Sequence, residues 1–151
     1  MVAYNFQPAF GGPVSKGEKP LTMREPRAGR SRHARVGDTL QLTTYGRTKK
    51  RRVLMTPPCT LRATVVLGPT GVVRVLDVTT ALDNVPAQGV AMLLAQAEQG
   101  APEAARWSDA LAAADGFRDY AAMYAWHVAN SAKAGPDADG RVTRELIGWM
   151  G

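Results

Sequence analysis

The chain has 151 residues, 45% of them hydrophobic and 21% charged, with a formal net charge of +6. That length supports one domain with a real core, and that composition excludes disorder over most of the chain. No apolar run approaches the ~20 residues of a membrane helix, the start MVAYNFQPAF lacks the basic-then-apolar order of a signal peptide, and the lone cysteine, Cys59, excludes a disulfide framework.

Val2 to Phe6 reads as a first strand with Tyr4 and Phe6 on one face. Phe10 to Ser15 is rich in glycine and proline, so a turn or a single helical turn is expected. Leu21 to Arg24 alternates, which sends Leu21 and Met23 inward and Thr22 and Arg24 to the opposite face. Residues 25–36 lack apolar periodicity and read as a mobile basic loop. Thr39 to Thr43 is a strand, and the Arg47–Arg52 run suits a hairpin tip or a sheet edge, where like charges block edge pairing. Leu61–Leu67 and Val72–Val78 form a hairpin across Gly68–Gly71. Three helices are expected at Val90–Gln99, Glu103–Ala114 and Phe117–Asn130. Residues 131–140 read as a polar linker before a last strand, Val142–Trp149. An α+β domain follows: a small mixed barrel of five or six strands with a layer of two or three helices.

The charge is local. Residues 16–52 hold twelve of the nineteen Lys and Arg against three acids, so this window carries +9 and the rest −3. Such a patch steers polyanions, nucleic acid first among them. The candidate contacts are Arg24, Arg27, Arg30, Arg32, His33, Arg35, Arg47, Lys49, Lys50 and Arg51. A solubilising face is the plainer reading of the same charges. With two histidines, His33 and His127, and one cysteine, no zinc site is expected; no cofactor is implied, and a reducing cytoplasm fits.

Within the basic window lies a Gly-x-Lys-x-x-Thr-x-Arg core: Gly17, Lys19, Thr22 and Arg24. Three further landmarks follow in order: HARVGDTLQL from His33, TYGRTKKRRVL from Thr44 and ADGFRDYAAMYAW from Ala114. Together they resemble the ASCH domain, a relative of the PUA RNA-binding barrels, over about residues 2–55 and 104–150; the third landmark looks like a branch common in bacterial and phage genomes. The resemblance implies a PUA-like barrel. Some ASCH proteins are amidohydrolases that deacylate N4-acetylcytidine with a lysine, a threonine and a carboxylate. By matching position these are Lys19, Thr22 and Asp115. The amidohydrolases carry glutamate at the third place, and a shift of about 1 Å can cost a large factor in rate.

Two functions follow. One is binding of RNA or a nucleic-acid-derived ligand in a basic cleft, with a ribonuclease as a variant of it; the charge favours this. The other is an amidohydrolase on N4-acylated cytidine through Lys19, Thr22 and Asp115; the retained motif favours this. In the second, Thr22 is the nucleophile, Lys19 its base if desolvation lowers its pKa, and Arg24 a donor to the oxyanion. Each has a plainer reading: Asp115 as a cap for the following helix, His33 as a phosphate contact or a solvated side chain, His127 as a satisfied core residue, and the whole chain as an accessory protein that binds another protein.

Overall fold

The computed structural model describes residues 1–27, 32–81 and 104–149. Strand β1 (Val2–Phe6) buries Tyr4 and Phe6 and leaves Ala3 and Asn5 exposed, the alternation its sequence carries. Helix α1 (Pro8–Ser15) begins on a proline, whose missing N–H is harmless at the first helical position. It is longer than the single turn expected. Gly11 and Val14 pack inward, and that burial outweighs the weak helix propensity of PAFGGPVS. Gly17 ends it in the left-handed region at φ +75°. Its N–H donates to Val14 O, and the Glu18 N–H to Pro13 O, a Schellman turn that reverses the chain into β2 (Leu21–Arg24).

β3 (Leu40–Thr44) runs parallel to β1, from the pair Val2–Leu40 to Phe6–Thr44. β4 (Arg52–Met55) pairs antiparallel with β3 and forms a sheet edge, so the basic run Arg47–Arg51 makes the preceding turn. β5 (Cys59–Leu67) and β6 (Val72–Thr80) form the expected hairpin. Helices α2 (Ala104–Ala114) and α3 (Tyr120–Ala129) precede β7 (Val142–Trp149), which inserts antiparallel between β2 and β5. The expected helix at Val90–Gln99 lies outside the described residues.

The domain is α+β, but its described strands do not close into a barrel. They number seven rather than five or six and form two sheets, ordered β1-β3-β4 and β2-β7-β5-β6. Where β4 passes to β5, Pro57 and Pro58 have no N–H to donate, and the two sheets meet there by one isolated bridge, Thr39 to Pro58. Two hydrophobic clusters form, one on each face of β7. Leu21, Met23, Ala63, Val65 and Leu146 pack under Leu111, Tyr120 and Met123 of the helices. Ile147 and Trp149, on the other side, pack with Tyr4, Phe6, Leu40 and Leu42 of the first sheet. Each fully buried side chain of this kind contributes roughly 1.5–3 kcal/mol.

Two connections differ from expectation. α3 starts at Tyr120, not Phe117, because the Asp119 carboxylate accepts the Ala122 N–H and caps it. The 131–140 segment is tied down: Glu25 Oε1 accepts the N–H groups of Ala132, Lys133 and Ala134 at 2.8, 3.0 and 3.0 Å. Among the described residues, no helix is long and apolar enough to cross a membrane.

Candidate functional site

Two helix ends deliver the central pair. After the Gly17 reversal, the chain enters the protein and the Lys19 side chain is buried. α2 ends in a second Schellman turn: Gly116, at φ +88°, donates to Ala113 O, and the Phe117 N–H to Ala112 O. Asp115 stands at the cap of that turn. Its carboxylate therefore does not cap α3; it points to the lysine. Lys19 Nζ donates to Asp115 Oδ1 and to the Asp115 backbone oxygen, each at 2.5 Å, with both side chains 3% exposed. Burial pushes the Lys19 pKa below the ordinary lysine value; the Asp115 carboxylate opposes that shift, and the Arg24 guanidinium adds to it.

Aromatic rings wall the ammonium, with the Phe10 and Phe6 centroids 4.9 and 5.7 Å away. Phe10 also packs edge-on against Phe117 and Trp126. Asp115 Oδ2 lies 3.3 Å from His127 Nε2. His127, on the buried face of α3, thus orients the second carboxylate oxygen. Its sequence context read as core, and it is buried; no local pattern shows that its partner comes from another helix.

Thr22 and Arg24 share a face of β2, as alternation requires. Arg24 Nε donates to Thr22 Oγ1 at 3.2 Å, and Arg24 Nη2 donates to Asn5 O at 2.9 Å. The guanidinium lies over Phe6, 4.9 Å from its centroid. These side chains line a cavity of about 260 Å³ together with Lys19, Asp115, Phe10, Trp126, His127 and Asn130. A second cavity, of about 650 Å³, adjoins it and shares Arg24, Trp126, His127 and Asn130.

The other basic candidates divide. Arg27 lines the second cavity, its guanidinium 5.3 Å from the Tyr4 centroid. Arg32 pairs with Asp38 at 2.9 Å, and the exposed Arg35 donates its backbone N–H to the same carboxylate. Arg47, Lys49, Lys50 and Arg51 are exposed on the turn before β4; Arg51 bonds the Gln41 side chain. Gly46 N donates to Asn5 Oδ1 at 2.8 Å, so this turn is anchored to a residue of the inner cavity. Arg30 lies outside the described residues.

His33 is neither solvated nor extended toward solvent. It is buried, its ring stacked on Tyr4 at a centroid distance of 5.8 Å. Tyr4 Oη accepts the Ala34 N–H, which leaves its hydrogen for His33 Nδ1 at 3.1 Å. The Nε2–H then donates to Glu25 O at 2.7 Å, which assigns the neutral tautomer protonated on Nε2. Burial lowers its pKa, in keeping with that form. Both ring nitrogens are engaged inside the protein. Cys59 is buried, and desolvation raises its thiol pKa to about 11, so it is not a nucleophile here.

Sequence reading also missed Arg144. It takes an inward position of β7 and is 1% exposed. Its guanidinium donates to Ala134 O, Thr143 O, His127 O and Ser131 Oγ. This locks the end of α3, and with it His127, against the sheet. Among the described residues, no group of three or more His, Cys, Asp or Glu is placed to hold a metal. No family model matches this chain, and no characterised protein and no solved structure shows significant similarity to it.

Proposed function

We propose that this chain is a small hydrolase of the ASCH, PUA-like type that cleaves the amide of an N4-acylated cytidine. The observation that carries the reading is the buried Lys19–Asp115 pair, set in an aromatic-walled cavity with Thr22 and Arg24. A protein gains little from burying such a pair for stability alone, since desolvation offsets most of the attraction. Perturbed, paired titratable groups lining a cavity mark functional sites.

The residues divide the work as follows. A neutral Lys19 has two N–H groups and one lone pair. The N–H groups satisfy the two Asp115 oxygens it already contacts, and the lone pair is left for the Thr22 hydroxyl proton. Thr22 Oγ1 attacks the acyl carbon as that proton passes to Lys19. The negative oxygen that develops is met by the Arg24 guanidinium, held beside Thr22. The C–N4 bond breaks, and the Lys19 proton goes to the leaving amine, giving cytidine. Water then hydrolyses the acyl-threonine to the carboxylic acid and restores the hydroxyl. Asp115, oriented by Lys19 and His127, accepts the proton of that water and returns it to the Thr22 oxygen as the acyl C–O bond breaks.

Purified protein incubated with N4-acetylcytidine is expected to release cytidine, read by chromatography, and Lys19→Ala to release none above the uncatalysed rate. Absence of cytidine with the wild-type chain overturns the proposal. Asp115→Glu restores the longer acid that the resemblance implies, and its rate measures what the shorter side chain costs. The exposed basic turn Arg47–Arg51 favours a second reading, binding of RNA, which requires affinity to fall steeply with salt.

A further inference from the structure

The inner cavity, at about 260 Å³, falls below the roughly 300–1,000 Å³ of whole-ligand sites. It has room for a base and its acyl group but not for a whole nucleotide. The adjoining 650 Å³ cavity, which shares Arg24, Trp126 and Asn130, offers a route for whatever extends from the base. Among the described residues, the charged groups facing that outer cavity are Arg24, Glu25, Arg27, Lys133 and Arg144, with the imidazoles of His33 and His127.

Two of these are consumed by structure. Arg144 is buried and donates to three carbonyls and a hydroxyl. Glu25 spends one carboxylate oxygen on three backbone N–H groups, and the Arg144 guanidinium, 4.0 Å from the same oxygen, offsets its charge. Those same bonds fix the backbone of Lys133. Arg24 is held by Thr22 and Asn5 and is shared with the inner cavity; Arg27 and Lys133 remain, both exposed and on different segments of the cavity wall. Among the described residues, Arg27 makes one weak side-chain bond, to Arg32 O at 3.3 Å, and nothing accepts from Lys133 Nζ.

The geometry points to a phosphate seat in the outer cavity, formed by Arg27 and Lys133 and backed by Arg24, so that the preferred ligand is a nucleotide rather than a free nucleoside. This rests on the proposed placement of the base beside Lys19 and Asp115. A forked guanidinium and an ammonium facing one cavity suit a phosphate group. The phosphate is that of a free mononucleotide or of a strand.

The test is calorimetric and does not depend on turnover. Affinities for cytidine, CMP and a dinucleotide with cytidine on the 5′-phosphodiester are compared for the wild type, Arg27→Ala/Lys133→Ala, and Arg118→Ala, which removes a positive charge that lines neither cavity. CMP is expected to bind at least tenfold more tightly than cytidine. The ratio should fall toward one in the double variant and persist in Arg118→Ala. Equal binding of CMP and cytidine, no binding of CMP at millimolar concentration, or a preference that survives the double variant overturns the phosphate seat. Dinucleotide binding that equals CMP identifies a strand as the source; binding of CMP alone identifies a free nucleotide. A CMP preference in a protein that releases no cytidine from N4-acetylcytidine removes the hydrolase reading and leaves the phosphate seat standing.

Discussion

Replacing Lys19 by methionine keeps an unbranched side chain among Phe6 and Phe10 but removes the ammonium. Among the described residues, Asp115, 2% exposed, then retains His127 Nε2, at 3.3 Å, as its one side-chain partner. Breaking a buried pair from one side costs about 3–5 kcal/mol, because the remaining charge stays desolvated. Asp115→Asn leaves the opposite orphan, a buried ammonium, at a similar cost. The double variant removes both charges, and replacing both partners is nearly neutral in many proteins. Lys19→Met/Asp115→Asn should therefore be less destabilised than either single variant, by about 2 kcal/mol or more on that basis. A domain of this size holds about 5–15 kcal/mol, so each variant should still fold and the differences fall within reach of urea denaturation followed by tryptophan fluorescence. All three should lack activity, which separates the stability of the pair from its chemistry. A single-variant cost below about 1 kcal/mol, or costs that simply add in the double variant, would refute a desolvated, coupled pair.

Gly116→Ala places a methyl group 3.2 Å from the Phe10 ring and 3.3 Å from Lys19 Cδ, at φ +88°. The backbone alone should cost about 1–2 kcal/mol, and turnover should fall because Lys19 is displaced; wild-type kinetics would contradict this placement. Burial raises the Glu25 pKa, but the N–H groups of Ala134, Lys133 and Ala132 lower it further, for a net depression. With the folded value below the unfolded one, its stabilisation is present above the ordinary glutamate range near pH 4.3 and is lost as pH falls through the folded value. Glu25→Ala should flatten the acid limb of the unfolding curve, and an unchanged limb would argue against that role. Turnover should rise with pH as Lys19 loses its proton, with a midpoint below the ordinary lysine value of about 10.4, and Lys19→Arg should abolish the limb.

Much of this was legible in the sequence, and the remainder depended on partners far along the chain. Period-two alternation placed Tyr4 and Phe6 inward and separated Leu21 and Met23 from Thr22 and Arg24, because a strand leaves little choice of face. The Gly17 and Gly116 turns explain why a lysine and an aspartate meet, but that meeting joins residues 96 apart, so only the motif resemblance pointed to it. His33 sits in a run of arginines, and its burial depends on Tyr4, 29 residues away. Arg144 interrupts the apolar face of β7 and reads as a break in pattern, whereas it holds the end of α3. The barrel was the natural inference from several short strands. The Pro57-Pro58 step, which has no N–H to donate, is where the ladder between the two sheets fails.

The central claim is that the Lys19–Asp115 cavity is where the base is held for cleavage. A crystal structure of the wild-type protein with cytidine, the expected product, tests it most directly. The exocyclic nitrogen is expected within hydrogen-bond distance of Lys19 or Asp115, with the ribose directed past Arg24 into the outer cavity. Cytidine bound on the Tyr45–Arg51 turn, with the Lys19–Asp115 pair untouched, would contradict it.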